Sequence, residues 1–381
     1  MAERLRIAVL GAGPIGLEAA AEAVGRRHEV VVFEAGEIGA HVRRWGHVPL
    51  FTPWRMAVTD RGLARSGATI ADPDGYPTGD ELVARYLEPL AGSLDVRTHH
   101  RVVDISRAHR TKGQDIGSIR RAEEPFRLVV AGPDDERIER ADAVLDCTGV
   151  LGDPAPAGAG GVPALGERAL RETDVVRYGP LPVDDLAGRR VALIGDGASA
   201  VTVLDGLLRL SPAPQVLWIT PSATVPGFVS PADDVLPARK ALYELGRSAP
   251  GHPAVTHRPG ALVDGMARTD AGLRLTLDDG SAHDVDVALV CTGFRPDHAL
   301  SRELQLHLCY ASEGPMKLAA ALLAASGGGG DCLAQPEQDA AVLANPEPRF
   351  FVLGNKSYGR RSDFLLRIGH QQVRDALDLL G

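Results

Sequence analysis

The sequence predicts an α/β fold in which one domain is inserted into another, and three observations support this prediction. An apolar strand pattern leads into a Gly-x-Gly-x-x-Gly turn at 11–16 and then into an alanine-rich helix pattern. The same order recurs at 190–210, where the turn reads Gly-x-Gly-x-x-Ala. A strand pattern that ends in Cys-Thr-Gly stands on each side of this second unit, at 147–149 and at 291–293. We therefore predict one domain from residues 1–150 and 291–381, and a second domain from residues 151–290.

The first βαβ unit extends over residues 7–34 and ends on an acid. In such a unit Gly11 permits a tight turn, Gly13 lets the backbone approach a pyrophosphate, and Gly16 lets the helix pack closely on the sheet. The helix N-terminus offers free N–H groups to the anion, and Glu34 stands where a carboxylate accepts hydrogen bonds from ribose hydroxyls. This pattern predicts a Rossmann-like dinucleotide site. The alternative is a glycine turn that binds no ligand.

The composition is typical of a globular protein and restricts the classes of partner. The 381 residues are 44% hydrophobic and 24% charged, which suffices for two domains with apolar cores. A net charge of −9 argues against nucleic acid or an anionic membrane as the partner. No apolar run reaches the roughly 18 residues of a membrane span, and no signal peptide precedes the first strand, so we expect a cytoplasmic protein. The four cysteines form no Cys-x-x-Cys pair, which argues against a metal cluster and a sequence-adjacent dithiol.

The segment after the first unit is predicted to border the bound nucleotide. Residues 35–47 are too rich in glycine and histidine for a regular element, so we expect a loop. Arg43 or Arg44 is a candidate for neutralising the pyrophosphate, and a solvated surface pair is the alternative for either residue. Phe51 and Trp54 are large aromatic residues in a chain with only 4% aromatic residues. They predict a wall for a cofactor ring, with packing in a satellite core as the alternative.

The rest of the first domain up to the insertion alternates between helix and strand patterns. Thr78 and Glu81 predict a capped helix over 78–87. Strand patterns follow at 101–105 and 126–131.

The second unit follows a proline- and glycine-rich crossover at 151–166, and its strands are predicted at 191–194 and 216–220. Between residues 211 and 238 there is no Lys or Arg, and no Asp or Glu before Asp233. Neither an acid for a ribose hydroxyl nor an Arg for a 2′-phosphate is visible at the end of the second strand, which leaves NADH and NADPH both open. Decay into a purely structural domain is the alternative to a functional site.

The C-terminal part is predicted to return to the first domain. An Asp-Gly turn joins two strand patterns within 273–290, and an apolar helix pattern at 316–325 precedes a flexible run of glycines at 326–330. A strand at 349–353 then leads into a polar glycine loop, and Ser362 is predicted to cap the final helix. If this helix begins beside the first nucleotide, its positive end faces any anion that develops there.

The two nested dinucleotide units, the paired Thr-Gly segments and the closing strand, glycine loop and helix resemble the two-dinucleotide-binding flavoproteins. This superfamily includes flavin-containing monooxygenase-like and pyridine nucleotide-disulfide oxidoreductase-like proteins. The stretches at 41–54, 77–90, 160–168 and 354–372 are similar to flavin monooxygenases of the arsenic-resistance-operon type. The resemblance covers nearly the whole chain. It implies an FAD site in the first domain and an NADH or NADPH site in the second. The scattered cysteines predict no metal.

The residues and the resemblance together define three candidate sets. The FAD-binding set comprises Gly11, Gly13, Pro14, Ile15, Gly16, Glu34, Arg43, Trp45, Thr148, Gly149, Gly354 and Asn355. The NAD(P)H-binding set comprises Gly195, Asp196, Gly197, Ala198, Ser199, Ala200, Thr220, Thr292 and Gly293. The substrate pocket is predicted from Trp45, His47, Phe51, Trp54, Lys356, Ser357 and Arg360. His47 is a candidate proton donor, and a histidine that is only hydrogen-bonded within its loop is the alternative.

The leading hypothesis is an FAD-dependent oxidoreductase that consumes NAD(P)H and oxygenates a small-molecule substrate with O₂ through a C4a-peroxyflavin. The flavin would carry the chemistry, which explains why the sequence shows no Ser-His-Asp set and no metal-ligand cluster. One rival is a flavin-dependent reductase or dehydrogenase that inserts no oxygen. The non-enzyme rival is a flavin-binding redox sensor or partner-binding module. A homodimer is the oligomeric state that the sequence leaves possible.

Overall fold

The computed structural model describes residues 3–171, 173–223, 236–326 and 339–381. The chain forms two compact units, one made of Met1–Asp153 with Arg295–Gly381 and one made of Pro154–Phe294. We call the first the discontinuous unit and the second the inserted unit. The chain passes between them at 153/154 and 294/295, where the sequence predicts 150/151 and 290/291. Which nucleotide each unit binds stays a prediction.

Strands and helices alternate along both units. The strands are β1 Arg6–Leu10, β2 Glu29–Phe33, β3 Val96–Arg97, β4 Arg101–Arg107, β5 Phe126–Ala131, β6 Glu136–Ala141, β7 Ala143–Asp146, β8 Val176–Tyr178, β9 Arg190–Ile194, β10 Gln215–Thr220, β11 Val255–Pro259, β12 Val263–Thr269, β13 Gly272–Leu277, β14 Ala282–Val285, β15 Val287–Val290 and β16 Phe350–Val352. The α-helices are α1 Pro14–Gly25, α2 Ala40–Arg43, α3 Trp54–Ala57, α4 Asp60–Ser66, α5 Gly79–Leu82, α6 Glu88–Ala91, α7 Glu167–Leu170, α8 Ala198–Leu208, α9 Pro237–Ser248, α10 Met316–Ser326 and α11 Leu366–Asp378.

The discontinuous unit is built on a parallel sheet with the strand order β16-β7-β1-β2-β3. All residues of β1 after Arg6 are buried, as expected for a strand that is covered on both faces. Ile7 and Val9 belong to the core that contains α1 and α11. Ala8 and Leu10 belong to the core that contains the antiparallel sheet β4-β5-β6. Because side chains alternate along a strand, one short apolar run supplies both cores.

The inserted unit repeats this layering on a smaller scale. Its parallel sheet has the order β11-β10-β9-β15-β8, and an antiparallel sheet contains β12, β13 and β14. Val191 and Leu193 of β9 belong to the core that contains α8. Ala192 and Ile194 belong to the core that contains the antiparallel sheet. The predicted mixed α/β fold with two Rossmann-like sheets is confirmed.

The two glycine turns are held in the same way. In the discontinuous unit, the N–H of Gly11 donates to the carbonyl of Phe33 at 2.8 Å. In the inserted unit, the N–H of Gly195 donates to the carbonyl of Ile219 at 3.0 Å. Each bond joins the turn to the next-to-last or last residue of the second strand of its unit. The positions of the two units can therefore be compared one by one.

The ends of some elements differ from the prediction. Thr78 and Glu81 form the predicted capping box, but α5 continues through a π-helical turn, Val83–Leu87, into α6. The prediction that Ser362 caps the final helix is wrong, because α11 begins only at Leu366 after the extended residue Leu365. The flexible run predicted at 326–330 lies outside the described residues except for Ser326.

A buried carboxylate joins the antiparallel sheet of the discontinuous unit to the segment before β16. Glu347 accepts from Arg107 at 2.7 Å and from Arg121 at 2.8 Å, and all three side chains are fully buried. Substitution of any one member of this cluster is expected to be strongly destabilising, because it leaves a buried charge without its partner.

None of the described helices combines the length and the apolar character that a membrane span requires. Within the same described ranges, no group of three or more His, Cys, Asp or Glu side chains is arranged to hold a metal ion.

Candidate active site

A cavity of about 600 Å³ lies in the discontinuous unit, and its lining includes the carboxyl ends of β1 and β2 and the turn after β7. Ligands of open parallel sheets bind at this edge. Ten of the twelve residues predicted to bind FAD line the cavity: Gly11, Gly13, Pro14, Ile15, Glu34, Trp45, Thr148, Gly149, Gly354 and Asn355. The structure thus brings together residues that are separated by more than 300 positions in the sequence. Their assignment to FAD stays a prediction.

The three glycines of the first turn have different roles in the structure. Gly11 has a φ of +94°, and a Cβ there would lie 2.9 Å from the carbonyl oxygen of Cys147. A Cβ on Gly16 would lie 1.9 Å from the carbonyl oxygen of Gly11, so this glycine permits the close approach of α1 to the turn. Gly13 differs, because a Cβ there would have no neighbour within 4 Å. The open space beside Gly13 belongs to the cavity and suits the approach of a pyrophosphate.

The carboxylate of Glu34 is held in place at the end of β2. One of its oxygens accepts from the N–H of Ala12 at 2.7 Å, and the other accepts from the N–H of Gly36 at 2.8 Å. Each carboxylate oxygen has further lone pairs available for hydrogen bonds. The geometry therefore fits a carboxylate that accepts from the hydroxyls of an adenosine ribose.

The closing glycine loop is held by a buried glutamine of α11. Gln372 accepts from the N–H of Gly354 at 2.9 Å and donates to the hydroxyl of Ser357 at 2.9 Å. Asn355, which lines the cavity, has a buried side-chain oxygen without a hydrogen-bond partner. A buried unsatisfied acceptor is costly, so it favours a ligand that donates a hydrogen bond at this point. The hydroxyls of a ribityl chain are donors of this kind.

Lys356 and Ser357 do not line the cavity, in contrast to the predicted pocket. The ammonium of Lys356 is buried and donates to Asp146 at 2.7 Å and to the hydroxyl of Thr148 at 3.0 Å. Burial alone would raise the pKa of Asp146, but Lys356 and the hydrogen bonds from Thr148 hold that pKa below its ordinary value. The lysine is therefore placed to orient the cavity-lining residue Thr148 rather than to contact a substrate. Ser357 is buried against Gln372 and the carbonyl of Gly354.

Several other residues of the predicted pocket lie elsewhere. Trp54 is 3% exposed and packs in the core under the guanidinium of Arg85, which realises the core-packing alternative. His47 is exposed and does not line the cavity. Arg360 is directed to Glu313, with which it forms two hydrogen bonds. Local sequence could not show the directions of Trp54 and Arg360, because each side chain contacts a partner that is distant in the chain.

Arg43, predicted to neutralise the pyrophosphate, is an exposed residue that pairs with Glu88 and with the carbonyl of Ile38. It does not line the cavity, whereas Trp45 and Phe51 do. Of the predicted pocket residues between 45 and 54, Trp45 and Phe51 therefore line the cavity, whereas His47 and Trp54 do not.

Sequence reasoning missed several cavity residues. His41 lines the cavity, and burial lowers its pKa, so the imidazole is neutral near pH 7. Arg101, the first residue of β4, also lines it and offers a cation that the sequence presented only as the start of a strand. Phe364 lines it and packs edge-on against Tyr358. A histidine in the loop after Glu34 was a visible signal for His41, but no local pattern marks Arg101 or Phe364.

The turn of the inserted unit repeats the features of the first turn. Gly195 has a φ of +122°, and a Cβ there would lie 2.4 Å from the carbonyl oxygen of Cys291. A Cβ on Gly197 would have no neighbour within 4 Å. Ala200 is fully buried in α8, at the position that corresponds to Gly16. A pyrophosphate has the same open approach here as in the first turn.

The remaining predicted NAD(P)H residues surround this turn. Ala198 and Ser199 form the first turn of α8, where backbone N–H groups are free for an anion. Thr220 is buried and hydrogen-bonded to His257 at 3.0 Å. Thr292 donates to the carbonyl of Ala155 at 2.7 Å. Gly293, with a φ of +97°, follows it in the turn after β15, and Asp196 accepts from Ser222 at 2.8 Å.

Residues 5–313 match the family described as pyridine nucleotide-disulphide oxidoreductase. The chain belongs to this family. Its members bind FAD and use NAD(P)H, so the family indicates a flavin-dependent oxidoreductase. No curated protein matches the sequence.

Solved structures with the same fold include both reductases and a monooxygenase. The bacillithiol disulfide reductase of Bacillus cereus is 18% identical, with a TM-score of 0.72 and coverage of 99% of each chain. The thioredoxin reductase of Lactococcus lactis is 15% identical, with a TM-score of 0.62 and 99% coverage of each chain. A flavin-containing monooxygenase of Stenotrophomonas maltophilia is 22% identical, with a TM-score of 0.57 and 99% coverage of each chain. At these identities the likeness shows the shared fold alone.

Proposed function

We propose that the protein is an NAD(P)H-dependent FAD enzyme whose flavin reacts directly with a small molecule, without a protein dithiol between them. FAD is assigned to the cavity of the discontinuous unit, and NAD(P)H to the glycine turn of the inserted unit. Within this class of enzyme, we propose a monooxygenase that uses O₂ to oxygenate a small-molecule substrate. The main support for a direct reaction of the flavin comes from the positions and the raised pKa values of the buried cysteines.

Cys147 is the one described cysteine that lines the cavity. Burial, together with the nearby charge of Asp146, raises the pKa of its thiol well above the ordinary value. Burial also raises the pKa of Cys291, to about 12. The thiolate is the reactive form of cysteine, so neither residue is suited to nucleophilic attack on a disulfide near neutral pH.

Cys309 does not line the cavity, and Cys332 lies outside the described residues. Among the described residues, therefore, no second thiol stands beside Cys147 at the cavity. For the described cysteines, this arrangement disfavours a disulfide relay and favours direct electron transfer from the cofactor to its acceptor.

The chain contributes binding and orientation to this chemistry. FAD, when bound, would supply hydride acceptance and reactivity with O₂. Glu34 would accept hydrogen bonds from the ribose, and the N-terminal N–H groups of α1 would bind the pyrophosphate. Arg101 lies at the cavity as a counter-charge, and Asn355 offers its unsatisfied oxygen to a donor on the cofactor. The Lys356–Asp146 pair holds Thr148 in position.

Anaerobic mixing followed by aerobic turnover tests this proposal. The purified yellow protein is mixed with NADH or NADPH without oxygen, and flavin absorbance is followed; bleaching is expected. Turnover is then measured with a panel of small amines, sulfides, ketones and quinones under isotopically labelled O₂. Incorporation of one labelled oxygen atom into a product supports the monooxygenase.

The other outcomes support one of the two rival functions. Reduction of a quinone or an added disulfide, without labelled product, supports the reductase and contradicts oxygen insertion. A flavin that neither nucleotide bleaches contradicts both enzyme functions and supports the sensor or partner-binding module.

A further inference from the structure

The two units differ in the residue that stands at the end of the second strand. In the discontinuous unit, β2 is followed by Glu34, whose carboxylate lies between the N–H of Ala12 and the N–H of Gly36. A carboxylate thus fills the gap between the glycine turn and the segment after the strand. In the inserted unit the corresponding strand, β10, ends on Thr220, whose hydroxyl is turned to His257.

A carboxylate nevertheless lies in the same gap of the inserted unit. The equivalent bonds from Gly11 and Gly195 to their second strands align Ala12 with Asp196. They also align Glu34 with Thr220, and Gly36 with Ser222. Asp196 accepts a hydrogen bond from the hydroxyl of Ser222 at 2.8 Å. The acid therefore comes from the glycine turn and reaches toward the strand end, whereas in the first unit it comes from the strand end and reaches toward the turn.

We propose that Asp196 is the residue that selects NADH over NADPH. In dinucleotide sites of this kind, a carboxylate in this gap accepts from the 2′-hydroxyl of the adenosine ribose, and an Arg nearby accommodates a 2′-phosphate. A carboxylate accepts hydrogen bonds from a hydroxyl but repels the negative charge of a phosphate. The inference rests on the proposed function only in placing a nicotinamide dinucleotide in the inserted unit.

The charges around this gap support the selection. Residues 211–238 contain no Lys or Arg. On the neighbouring strand β11, Arg258 forms an ion pair with Asp279 at 2.5 Å and also contacts Ser281. Burial lowers the pKa of His257, so this histidine is neutral near pH 7 and carries no charge for a phosphate. Asp196 itself is only half-buried and has Ser222 as its hydrogen-bond donor, which leaves lone pairs of the carboxylate open to a ribose.

Equilibrium binding measures the selection independently of turnover. NAD⁺ and NADP⁺ are titrated calorimetrically into the oxidised, FAD-loaded protein and its Asp196→Asn variant. The wild-type protein is expected to bind NAD⁺ at least about tenfold more tightly than NADP⁺, which corresponds to about 1.4 kcal/mol. In Asp196→Asn the ratio is expected to fall to within about threefold, chiefly through tighter binding of NADP⁺. Anaerobic bleaching by NADH and NADPH should follow the same order.

Two further variants test whether the effect on nucleotide preference is specific to the Asp196 carboxylate and its orientation. Asp205→Asn removes one negative charge from a partly exposed position of α8, where Asp205 pairs with Arg209, and should leave the ratio unchanged. Ser222→Ala removes the hydrogen bond that orients the Asp196 carboxylate and should reduce the ratio in part.

The outcomes distinguish this inference from the proposed function. Equal binding of both nucleotides, tighter binding of NADP⁺ by the wild type, or an equal loss of both in Asp196→Asn would overturn the role of Asp196. Bleaching by either nucleotide in those cases would leave the proposed function standing. Failure of both nucleotides to bind or to bleach the flavin would contradict the proposed function and, with it, the selection.

Discussion

Gly13 and Gly197 differ from the other glycines of their turns because a side chain at either position would meet open space. Gly11 and Gly195 adopt positive φ angles and lie against backbone atoms, so larger residues there would disturb the fold itself. Gly13 has a φ of −82°, which any residue adopts. Substitution at Gly13 or Gly197 therefore tests ligand binding rather than folding.

Gly13→Val is expected to yield a folded protein without FAD. Its side chain would occupy the space that the pyrophosphate needs, while the protein itself has no atom within 4 Å of the added Cβ. The visible spectrum of the purified variant and the FAD released on heating measure the loss, and circular dichroism checks the fold.

Gly197→Val is the matched control in the second turn. It should remain yellow but lose most of its bleaching by NAD(P)H, because the same obstruction is moved to the other site. A fully FAD-loaded Gly13→Val protein would show that the flavin is bound elsewhere.

At the scale of elements, the end of β7 is joined to the turn after β16 by the buried pair of Asp146 and Lys356. Both side chains are at most 1% exposed, and their N–O distance is 2.7 Å. The adjoining residues Thr148, Gly149, Gly354 and Asn355 all line the cavity. The ion pair thus sets the spacing of two segments that border the site.

Asp146→Asn is expected to lower the free energy of unfolding by about 3–5 kcal/mol, because the ammonium of Lys356 stays buried without a counter-charge. Urea denaturation at neutral pH measures this change. The double variant with Lys356→Met should be less destabilised than the sum of the two single variants. Additive losses would show that the two groups do not interact in solution.

The same pair predicts how stability depends on acid. The pKa of Asp146 is lower in the folded protein than its ordinary value of 3.8, so the unfolded chain binds this proton more readily. The contribution to stability is therefore complete above about pH 5 and is lost as the pH falls through the folded-state pKa, below about pH 4. Urea midpoints of the wild type should fall more steeply in this range than those of the double variant.

In the molecule as a whole, the described cysteine that lines the cavity, Cys147, has a thiol whose pKa is raised by burial, so chemistry at the cavity need not involve a thiolate. Cys147 and Cys291 are buried at the ends of the strands that carry the paired Cys-Thr-Gly segments. Cys309 is partly exposed, and hydrogen bonds from the side chain and backbone of Ser312 lower its pKa. The described cysteine whose pKa is lowered therefore lies outside the cavity lining of the discontinuous unit.

Iodoacetamide near neutral pH is expected to modify Cys309 before Cys147 or Cys291, because alkylation requires an accessible thiolate. Peptide mass spectrometry identifies the modified residues. Anaerobic bleaching of the flavin by NAD(P)H should be retained after this reaction. Loss of bleaching in step with labelling of Cys147 would contradict the proposal that no protein thiol takes part.

The repeated glycine turns and the paired Cys-Thr-Gly segments sufficed to predict the two nested units. These signals are local, since a strand, a tight turn and a helix are specified by residues close together in the chain. The same locality explains why the predicted set of Gly11, Gly13, Glu34 and their neighbours so largely coincides with the cavity lining.

The directions of several long side chains depend on contacts that form only in the folded chain. Lys356, Trp54 and Arg360 have the residue types of a polar or aromatic pocket, but Asp146, Arg85 and Glu313 engage them away from the cavity. These partners lie up to 210 positions away, so no local pattern shows the pairing.

The carboxylate of the inserted unit could likewise not be located from local sequence, because it comes from a residue outside β10. The order of residues along the chain shows that β10 ends without a carboxylate. Only the folded chain brings Asp196, 26 positions earlier, to Ser222. Backbone turns are encoded by neighbouring residues, whereas the occupant of a gap between two segments depends on which side chain is long enough, and so placed, to cross it.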